Sequence, residues 1–103
     1  MEWYSNLYMG ERAQKKKRLI QKVESGKTPV NTYLITLPFG NKNQLEIIPV
    51  RNLRFWYHKK QCPRIIGLAC GKDEAAELVG KIAEDVLKKT GDLEIRRYFE
   101  AET

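Results

Sequence analysis

The sequence predicts an α/β (α+β) two-layer sandwich, in which helices pack on a mixed sheet of about four strands. Two observations support this class. Residues 31–50 contain two short segments with the composition and alternation of β-strands. Residues 64–99 contain an apolar run, a long amphipathic helical segment and a further strand-like segment. The predicted order of elements is therefore α-β-β-(short α)-β-α-β, with a parallel βαβ unit at the C-terminal end.

Length and composition predict a single domain over residues 1–103. Of the 103 residues, 42% are hydrophobic, which is enough to build one core without disulfides or a metal. No segment approaches the roughly 18 consecutive apolar residues of a membrane span, and the first residues lack the pattern of a signal peptide. Two cysteines are too few for a disulfide framework. We therefore expect a cytoplasmic protein without a membrane span.

The N-terminal segment, residues 1–26, is predicted to form a basic helix. It contains no proline, Ser5 or Asn6 could cap its start, and Gly26 would end it. The consecutive cations at 15–18 would spread around the helix, because each residue is rotated by about 100° from the last. Most of these cations must therefore face solvent.

Residues 31–50 are predicted to form a β-hairpin. Apolar and polar residues alternate in its first half, and residues 39–44 have strong turn composition. Pro49 cannot donate a ladder hydrogen bond, so it belongs at a strand end or on an edge strand. The apolar spacing in residues 52–60 then favours one or two helical turns.

Residues 64–99 are predicted to form the βαβ unit. The continuous apolar run 65–70 is typical of a central strand that is covered on both faces. Asp73 is the predicted N-cap of the following helix, and Gly91 its stop signal. Residues 93–99 are predicted to form the last strand, parallel to the first because the helical crossover connects them.

The turn between this strand and helix, Gly67-Leu68-Ala69-Cys70-Gly71-Lys72-Asp73, lies where a phosphate-binding loop would lie. A P-loop has four residues between its glycines and a Ser or Thr after its lysine. Here three residues separate the glycines, and Asp73 and Glu74 follow Lys72. These carboxylates would repel a phosphate, so no nucleotide is expected.

Few residues suit metal binding or catalysis. His58, Cys62 and Cys70 are the soft-ligand candidates, and a structural zinc site would need a fourth ligand. A pair of His58 and Cys62 would need an ordered helix that Pro63 opposes. We therefore predict no metal, no cofactor, no catalytic residue and no enzymatic activity.

The net charge of +6 is concentrated in the first half of the chain. Residues 1–60 hold twelve Lys and Arg against four Asp and Glu, whereas residues 61–103 hold seven against nine. The positive residues form two clusters, one around residues 15–18 and a second over residues 51–60. In the second cluster, cations are interleaved with aromatic residues. Such composition fits unpaired bases and phosphates, a protein interface, or simply the edge of a core.

These observations predict a small non-enzymatic binding or accessory domain that contacts nucleic acid. The predicted polyanion-binding residues are Lys15, Lys16, Lys17, Arg18, Lys22, Arg51, Arg54, Lys59 and Lys60. The predicted stacking or interface residues are Phe55, Trp56 and Tyr57. The alternative is a protein-interaction module or a homodimer. Peripheral membrane binding is less favoured, because the apolar stripe of the predicted basic helix is narrow.

Overall fold

The computed structural model describes residues 2–15, 18–37, 45–53 and 64–102. In chain order the elements are β1 (Glu2–Met9), α1 (Glu11–Gln14), α2 (Leu19–Glu24), β2 (Thr32–Thr36), β3 (Glu46–Pro49), the 3-10 helix η1 (Val50–Asn52), β4 (Arg64–Cys70), α3 (Lys72–Thr90) and α4 (Ile95–Glu102). The described residues therefore form a mixed α+β fold around one sheet, which agrees with the predicted class.

The four strands form a mixed sheet in the order β1-β4-β2-β3. The central strand β4 is parallel to β1 and antiparallel to β2, and β2 is antiparallel to β3. The segment that would join β2 to β3 in the predicted hairpin, 38–44, lies outside the described residues. Pro49 is the last residue of β3, which is an edge strand, as its missing N–H requires.

The N-terminal helix prediction is wrong for residues 2–9, which form the edge strand β1. The odd-numbered Trp3, Leu7 and Met9 pack on one face of the sheet, and the even-numbered Tyr4 and Tyr8 pack on the other. This period of two is that of a strand with both faces covered, and aromatic residues favour strands. Helix propensity is a weak preference that such packing overrides.

The helical part of the N-terminal segment consists of two short helices, α1 and α2, within the described residues. Lys15 is the C-cap of α1, and Arg18 is the N-cap of α2. The predicted site residues Lys16 and Lys17 lie outside the described residues. The continuous basic helix over 1–26 is therefore replaced by a strand and two separate helices.

The predicted strand over 93–99 is also wrong, because residues 95–102 form α4. The spacing of Ile95 and Phe99 is i, i+4, so both side chains lie on one helical face and both are buried. Phe99 is fully buried, and its ring makes edge-to-face contacts with the rings of Tyr4, Tyr8 and Tyr98. The parallel neighbour of β4 is β1, so residues 64–99 do not form the predicted βαβ unit.

Helices cover both faces of the sheet, so the fold has three layers rather than the predicted two. One core lies between the sheet and α3 and α4, and its fully buried members are Ile35, Ile66, Ala69, Ala75, Ile82, Val86 and Phe99. The second core lies between the sheet and α1, α2 and η1, and it contains Ala13, Leu19, Val23, Leu34, Val50, Leu53, Ile65, Leu68 and Cys70. The apolar run of β4 contributes to both cores, as a strand covered on both faces does.

The predicted amphipathic helix is present as α3, and Gly91 ends it in the left-handed conformation. Gly71 occupies the N-cap position instead of Asp73, which lies in the first turn. Of the predicted short helix over 52–60, the structure describes only its beginning, where η1 leads into the buried Leu53. Residues 54–60 lie outside the described residues.

Candidate functional site

The turn between β4 and α3 was the most suggestive feature of the sequence, and the structure places a buried carboxylate inside it. The backbone of Gly71 has a φ of 90°, which suits glycine, and its N–H donates to the Asn31 carbonyl at 2.7 Å. Three residues later Glu74 folds back toward the end of β4, and its side chain is only 7% exposed. The turn therefore contains an anion of its own.

Four donors surround the carboxylate of Glu74. Oε1 accepts hydrogen bonds from the Arg12 backbone N–H at 2.6 Å and from the Arg12 guanidinium Nε at 3.4 Å. Oε2 accepts from the Cys70 N–H at 2.6 Å and from the Ala13 N–H at 3.3 Å. Arg12 and Ala13 lie in the first turn of α1, whose N-cap, Gly10, has no side chain to accept from them. Glu74 thus caps α1 from another element and joins α1, β4 and α3.

The environment of Glu74 stabilises its ionised form. Burial raises the pKa of this carboxyl, but hydrogen bonds from Cys70, Arg12 and Ala13 outweigh burial and hold the pKa below its usual range. A negative charge is therefore present at neutral pH where a P-loop would bind phosphate. The sequence suggested repulsion by Asp73 and Glu74; the structure assigns the internal position to Glu74 and leaves Asp73 exposed.

We expect no binding of ATP or GTP at Gly71 and Lys72. Millimolar nucleotide should leave the backbone amide chemical shifts of residues 67–74 unchanged in NMR spectra. Glu74 already accepts from the Cys70 N–H, and its negative charge repels phosphate. The Gly71 N–H already donates to the Asn31 carbonyl. Lys72→Ala should leave folding nearly intact, because this residue is exposed. Shift changes confined to residues 67–74 and abolished by Lys72→Ala would contradict this expectation.

The soft-ligand candidates of the sequence are only partly described by the structure. No group of three or more His, Cys, Asp or Glu among them is arranged to hold a metal ion. Cys70 is a free, buried thiol within the second core, whereas His58 and Cys62 lie outside the described residues. An open cleft of about 260 Å³ beside Glu74 is lined by Glu11, Glu77 and Lys81 among others.

The exposed cations of the first half of the chain lie in one layer of the fold. We call Lys15, Arg18, Lys22, Lys27 and Arg51 the basic layer; they belong to α1, α2, η1 and their flanking residues. None of the five makes an ion pair with any other residue that the structure describes. Of the predicted binding residues, Lys15, Arg18, Lys22 and Arg51 are thus brought to the same side of the sheet.

The cations of the opposite layer are in a different electrostatic environment. Lys88 pairs with Glu84 at 2.9 Å, and Arg96 pairs with Glu100 at 3.1 Å. Residues 71–103 hold nine Asp and Glu against six Lys and Arg, so this side of the protein is weakly acidic. Lys72, Lys81 and Arg97 also make no ion pair with a described residue, but the surplus of acidic residues gives this layer a net negative charge. The net positive charge of the protein therefore lies in the first half of the chain.

Sequence reasoning did not include Lys27 among the binding residues, although the end of α2 places it beside Lys22. The N–H of Lys27 donates to the Lys22 carbonyl at 3.0 Å, and the N–H of Gly26 donates to the Val23 carbonyl at 3.1 Å. With Gly26 at a φ of 87°, this is a Schellman motif. The sequence signal that could have identified this pair is Gly26, which lies two residues after the end of α2. Lys22 precedes this glycine by four residues, and Lys27 follows it directly.

The second predicted cluster falls mostly outside the described residues. Arg51 is exposed on η1, but Arg54, Lys59 and Lys60 are not described, nor are the aromatic residues Phe55, Trp56 and Tyr57. Their role in stacking or in an interface stays a prediction.

The wider comparisons add no relative. Comparison of the chain with protein-family models, curated proteins and solved structures gives no match. Among the described residues, no helix is long and apolar enough to cross a bilayer.

Proposed function

We propose that this protein is a small non-enzymatic domain that binds nucleic acid through the basic layer. The observation that supports the proposal is that one layer carries five cations without an ion pair to any described residue, and that the first half of the chain lacks the acidic surplus of the second half. These cations are Lys15, Arg18, Lys22, Lys27 and Arg51. A polyanion supplies the missing negative charge, and phosphate neutralisation dominates the affinity of nucleic-acid-binding proteins.

The arrangement of these cations does not stabilise the fold. Arg18 and Lys22 are four residues apart and joined by a helical hydrogen bond, and like charges at this spacing destabilise a helix by about 0.2–0.5 kcal/mol. The apolar residues of α2, Leu19 and Val23, face the core, so the cations contribute little to packing. This repulsion is small. A bound polyanion would make the electrostatic contribution of Arg18 and Lys22 to stability favourable.

The basic layer also borders the aromatic-basic segment. Arg51 of η1 is the described beginning of that segment, which continues through 54–60. If the segment binds unpaired bases, its aromatic residues stack on them while Arg54, Lys59 and Lys60 extend the charged surface. The proposal therefore includes both predicted clusters.

A protein-interaction module is the second candidate, and one observation favours it. Leu87 is 45% exposed on the last turns of α3, and Leu93 is 54% exposed after the following turn. Exposed leucines at one end of a helix pair can belong to a contact with another chain. A dimer in sizing experiments that Leu87→Ser and Leu93→Ser dissociate would support this alternative.

The proposed function is tested by removing four charges from the basic layer and its undescribed neighbours. The variant carries Lys15→Gln, Lys16→Gln, Lys17→Gln and Arg18→Gln, which remove four charges and keep a long polar side chain at each position. Binding of labelled single-stranded and duplex oligonucleotides is followed by fluorescence anisotropy between 50 and 200 mM salt. We expect affinity at 50 mM to fall at least about tenfold and the single-strand salt slope to decrease by up to about 2.8.

A charge-matched control separates a binding surface from a general effect of net charge. The control carries Lys88→Gln, Lys89→Gln, Arg96→Gln and Arg97→Gln, which lie in the last turn of α3 and in α4 on the opposite layer. We expect its affinity to stay within about threefold of the parent, because exposed charges away from the binding surface are screened by salt. Absence of binding by the parent, or equal losses in both variants, would overturn the proposed function.

A further inference from the structure

A cleft at the C-terminal end of α2 combines cations with exposed apolar surface. It measures about 440 Å³ and is lined by Leu19, Lys22, Lys27, Thr28, Pro29 and Val30. Lys22, Lys27 and Thr28 are exposed, Pro29 is partly buried, and Leu19 is buried. The cleft therefore offers two ammonium groups and a hydroxyl next to an apolar wall.

The Schellman motif brings the two lysines together. In this motif the residue three positions before the helix cap and the second residue beyond it lie side by side, and an apolar contact between them is common. Here lysines occupy both positions. The last carbonyls of α2 already accept bonds from the N–H groups of Ser25, Gly26 and Lys27, and the Lys22 carbonyl also accepts from the Ser25 hydroxyl at 2.9 Å. The ammonium groups are therefore not needed as caps and are free to meet a ligand.

The loop that carries Val30 is anchored on its C-terminal side. The Val30 carbonyl accepts a hydrogen bond from the Thr32 hydroxyl at 3.2 Å, and the Asn31 carbonyl accepts from the Gly71 N–H at 2.7 Å. The side chain of Val30 is nevertheless 89% exposed, more than the other large hydrophobic residues noted at the surface. Val30 is thus presented outward by a fixed backbone, next to Pro29, whose ring stiffens the loop.

We propose that this cleft binds single-stranded nucleic acid, with Lys22 and Lys27 neutralising consecutive phosphates and Val30 and Pro29 packing against an unstacked base. The Thr28 hydroxyl, which has no hydrogen-bond partner among the described residues, donates to a phosphate oxygen. This inference rests on the proposed function. It specifies the ligand as single-stranded nucleic acid and the main contact as the cleft at the end of α2.

The combination of charge and apolar surface favours a single strand over a duplex. A duplex presents phosphates along its backbone but keeps its base faces stacked inside, so Val30 would gain nothing from it. A single strand exposes base faces close to its phosphates, and contacts to those faces tolerate any sequence. An anionic membrane could also meet cations and an apolar tip, but one valine buries little surface in lipid compared with an amphipathic helix.

Two variants test the cleft with 12-mer oligouridine and oligothymidine and a duplex of equal length. Lys22→Gln with Lys27→Gln should weaken single-strand binding at 50 mM salt about tenfold and lower the salt slope by about 1.4, because each neutralised phosphate contributes about 0.7. Val30→Ser should weaken single-strand binding about fivefold, because the variant buries less apolar surface against the base. It should leave the salt slope and duplex binding unchanged.

Matched controls lie on the opposite layer. Lys88→Gln with Arg97→Gln removes the same charge, and Leu93→Ser removes another exposed apolar side chain; each should leave binding within about twofold. Chemical-shift changes on titration with oligouridine should include residues 22 and 27–30. Urea unfolding should give near-parental stability for every variant, because all the substituted residues are exposed.

The outcomes distinguish this inference from the proposed function. If the parent binds and the four-Gln variant does not, while the cleft variants bind like the parent, the cleft assignment is overturned and the proposed function stands. If Val30→Ser has no effect, or affects duplex and single strand equally, the single-strand assignment is wrong. Binding to phosphatidylserine vesicles that depends on Val30, in the absence of oligonucleotide binding, would overturn both.

Discussion

Replacement of Glu74 by alanine is expected to lower the free energy of unfolding by about 3–4 kcal/mol, because buried backbone N–H groups lose their acceptor. The donors are the N–H groups of Cys70, Ala13 and Arg12, of which the first two belong to buried residues. A domain of this size is stable by about 5–15 kcal/mol, so the loss is a large fraction of the total. Urea denaturation followed by circular dichroism measures it.

Glu77→Ala is the matched control, since Glu77 lies one turn further along α3 and is exposed. A change within about 0.5 kcal/mol is expected for an exposed position of this kind. A Glu74→Ala variant as stable as Glu77→Ala would contradict the capping role of Glu74.

The same carboxylate is expected to make stability depend on pH. The folded-state pKa of Glu74 lies below the unfolded value near 4.5, so the unfolded state binds a proton more readily. The contribution of Glu74 is therefore fully present above that unfolded value and is lost as the pH falls through the lower folded pKa. Because Glu74→Gln cannot ionise, the difference in stability between parent and variant should shrink from pH 6 to pH 3. A constant difference would show that ionisation of Glu74 is not involved.

Replacement of Gly10 by alanine is expected to destabilise the fold by about 2–3 kcal/mol through overpacking. A Cβ atom at Gly10 would lie 2.6 Å from Cγ of Glu74 and even closer to its carboxylate. Gly10 has a φ of −63°, which alanine adopts without strain, so the clash is the cause of the loss. The clash cannot be relieved cheaply, because four hydrogen bonds hold the carboxylate in place.

A double-mutant cycle and a second glycine make this prediction specific. With Glu74→Ala in place, Gly10→Ala should cost little, giving a coupling of about 2 kcal/mol between the two positions. Gly80 lies within α3 with no atom within 4 Å of an added Cβ, so Gly80→Ala should stabilise the protein by up to about 1 kcal/mol. Additive effects of the Gly10 and Glu74 substitutions would show that the two sites do not share this contact.

The half-buried Tyr8–Asp85 contact joins the long helix α3 to the edge strand β1. The Tyr8 hydroxyl donates to Asp85 at 2.9 Å. Burial is the larger cause, and this hydrogen bond the second, of a raised pKa at Tyr8. Lys89 lies one turn after Asp85 in α3, but its ammonium group donates to the Tyr98 hydroxyl at 3.3 Å. The packing of β1 against α3 therefore gives Asp85 a partner on a distant strand rather than on its own helix.

Elements whose residues carry their own structural signal could be predicted from the sequence. The apolar run of β4 and the half-apolar circumference of α3 are local patterns, and Gly91 marks the end of α3 by its left-handed backbone. The strand composition of β2 and β3 and the edge position of Pro49 belong to the same class. The sequence by itself also determined the excess of positive charge in the first half of the chain.

Only the tertiary structure decided what depends on partners distant in the chain. Residues 2–9 are a strand because both their faces find cores, and residues 95–102 are a helix because Phe99 packs against the rings of β1, which itself occupies the place beside β4. Glu74 is a buried cap rather than a solvated acid because its donors at Arg12 and Ala13 lie about 60 positions earlier. Local periodicity predicts which faces of a segment are apolar, but it does not predict which distant segment covers them. The structure of residues 2–9 and 95–102 and the capping role of Glu74 depend on those distant segments.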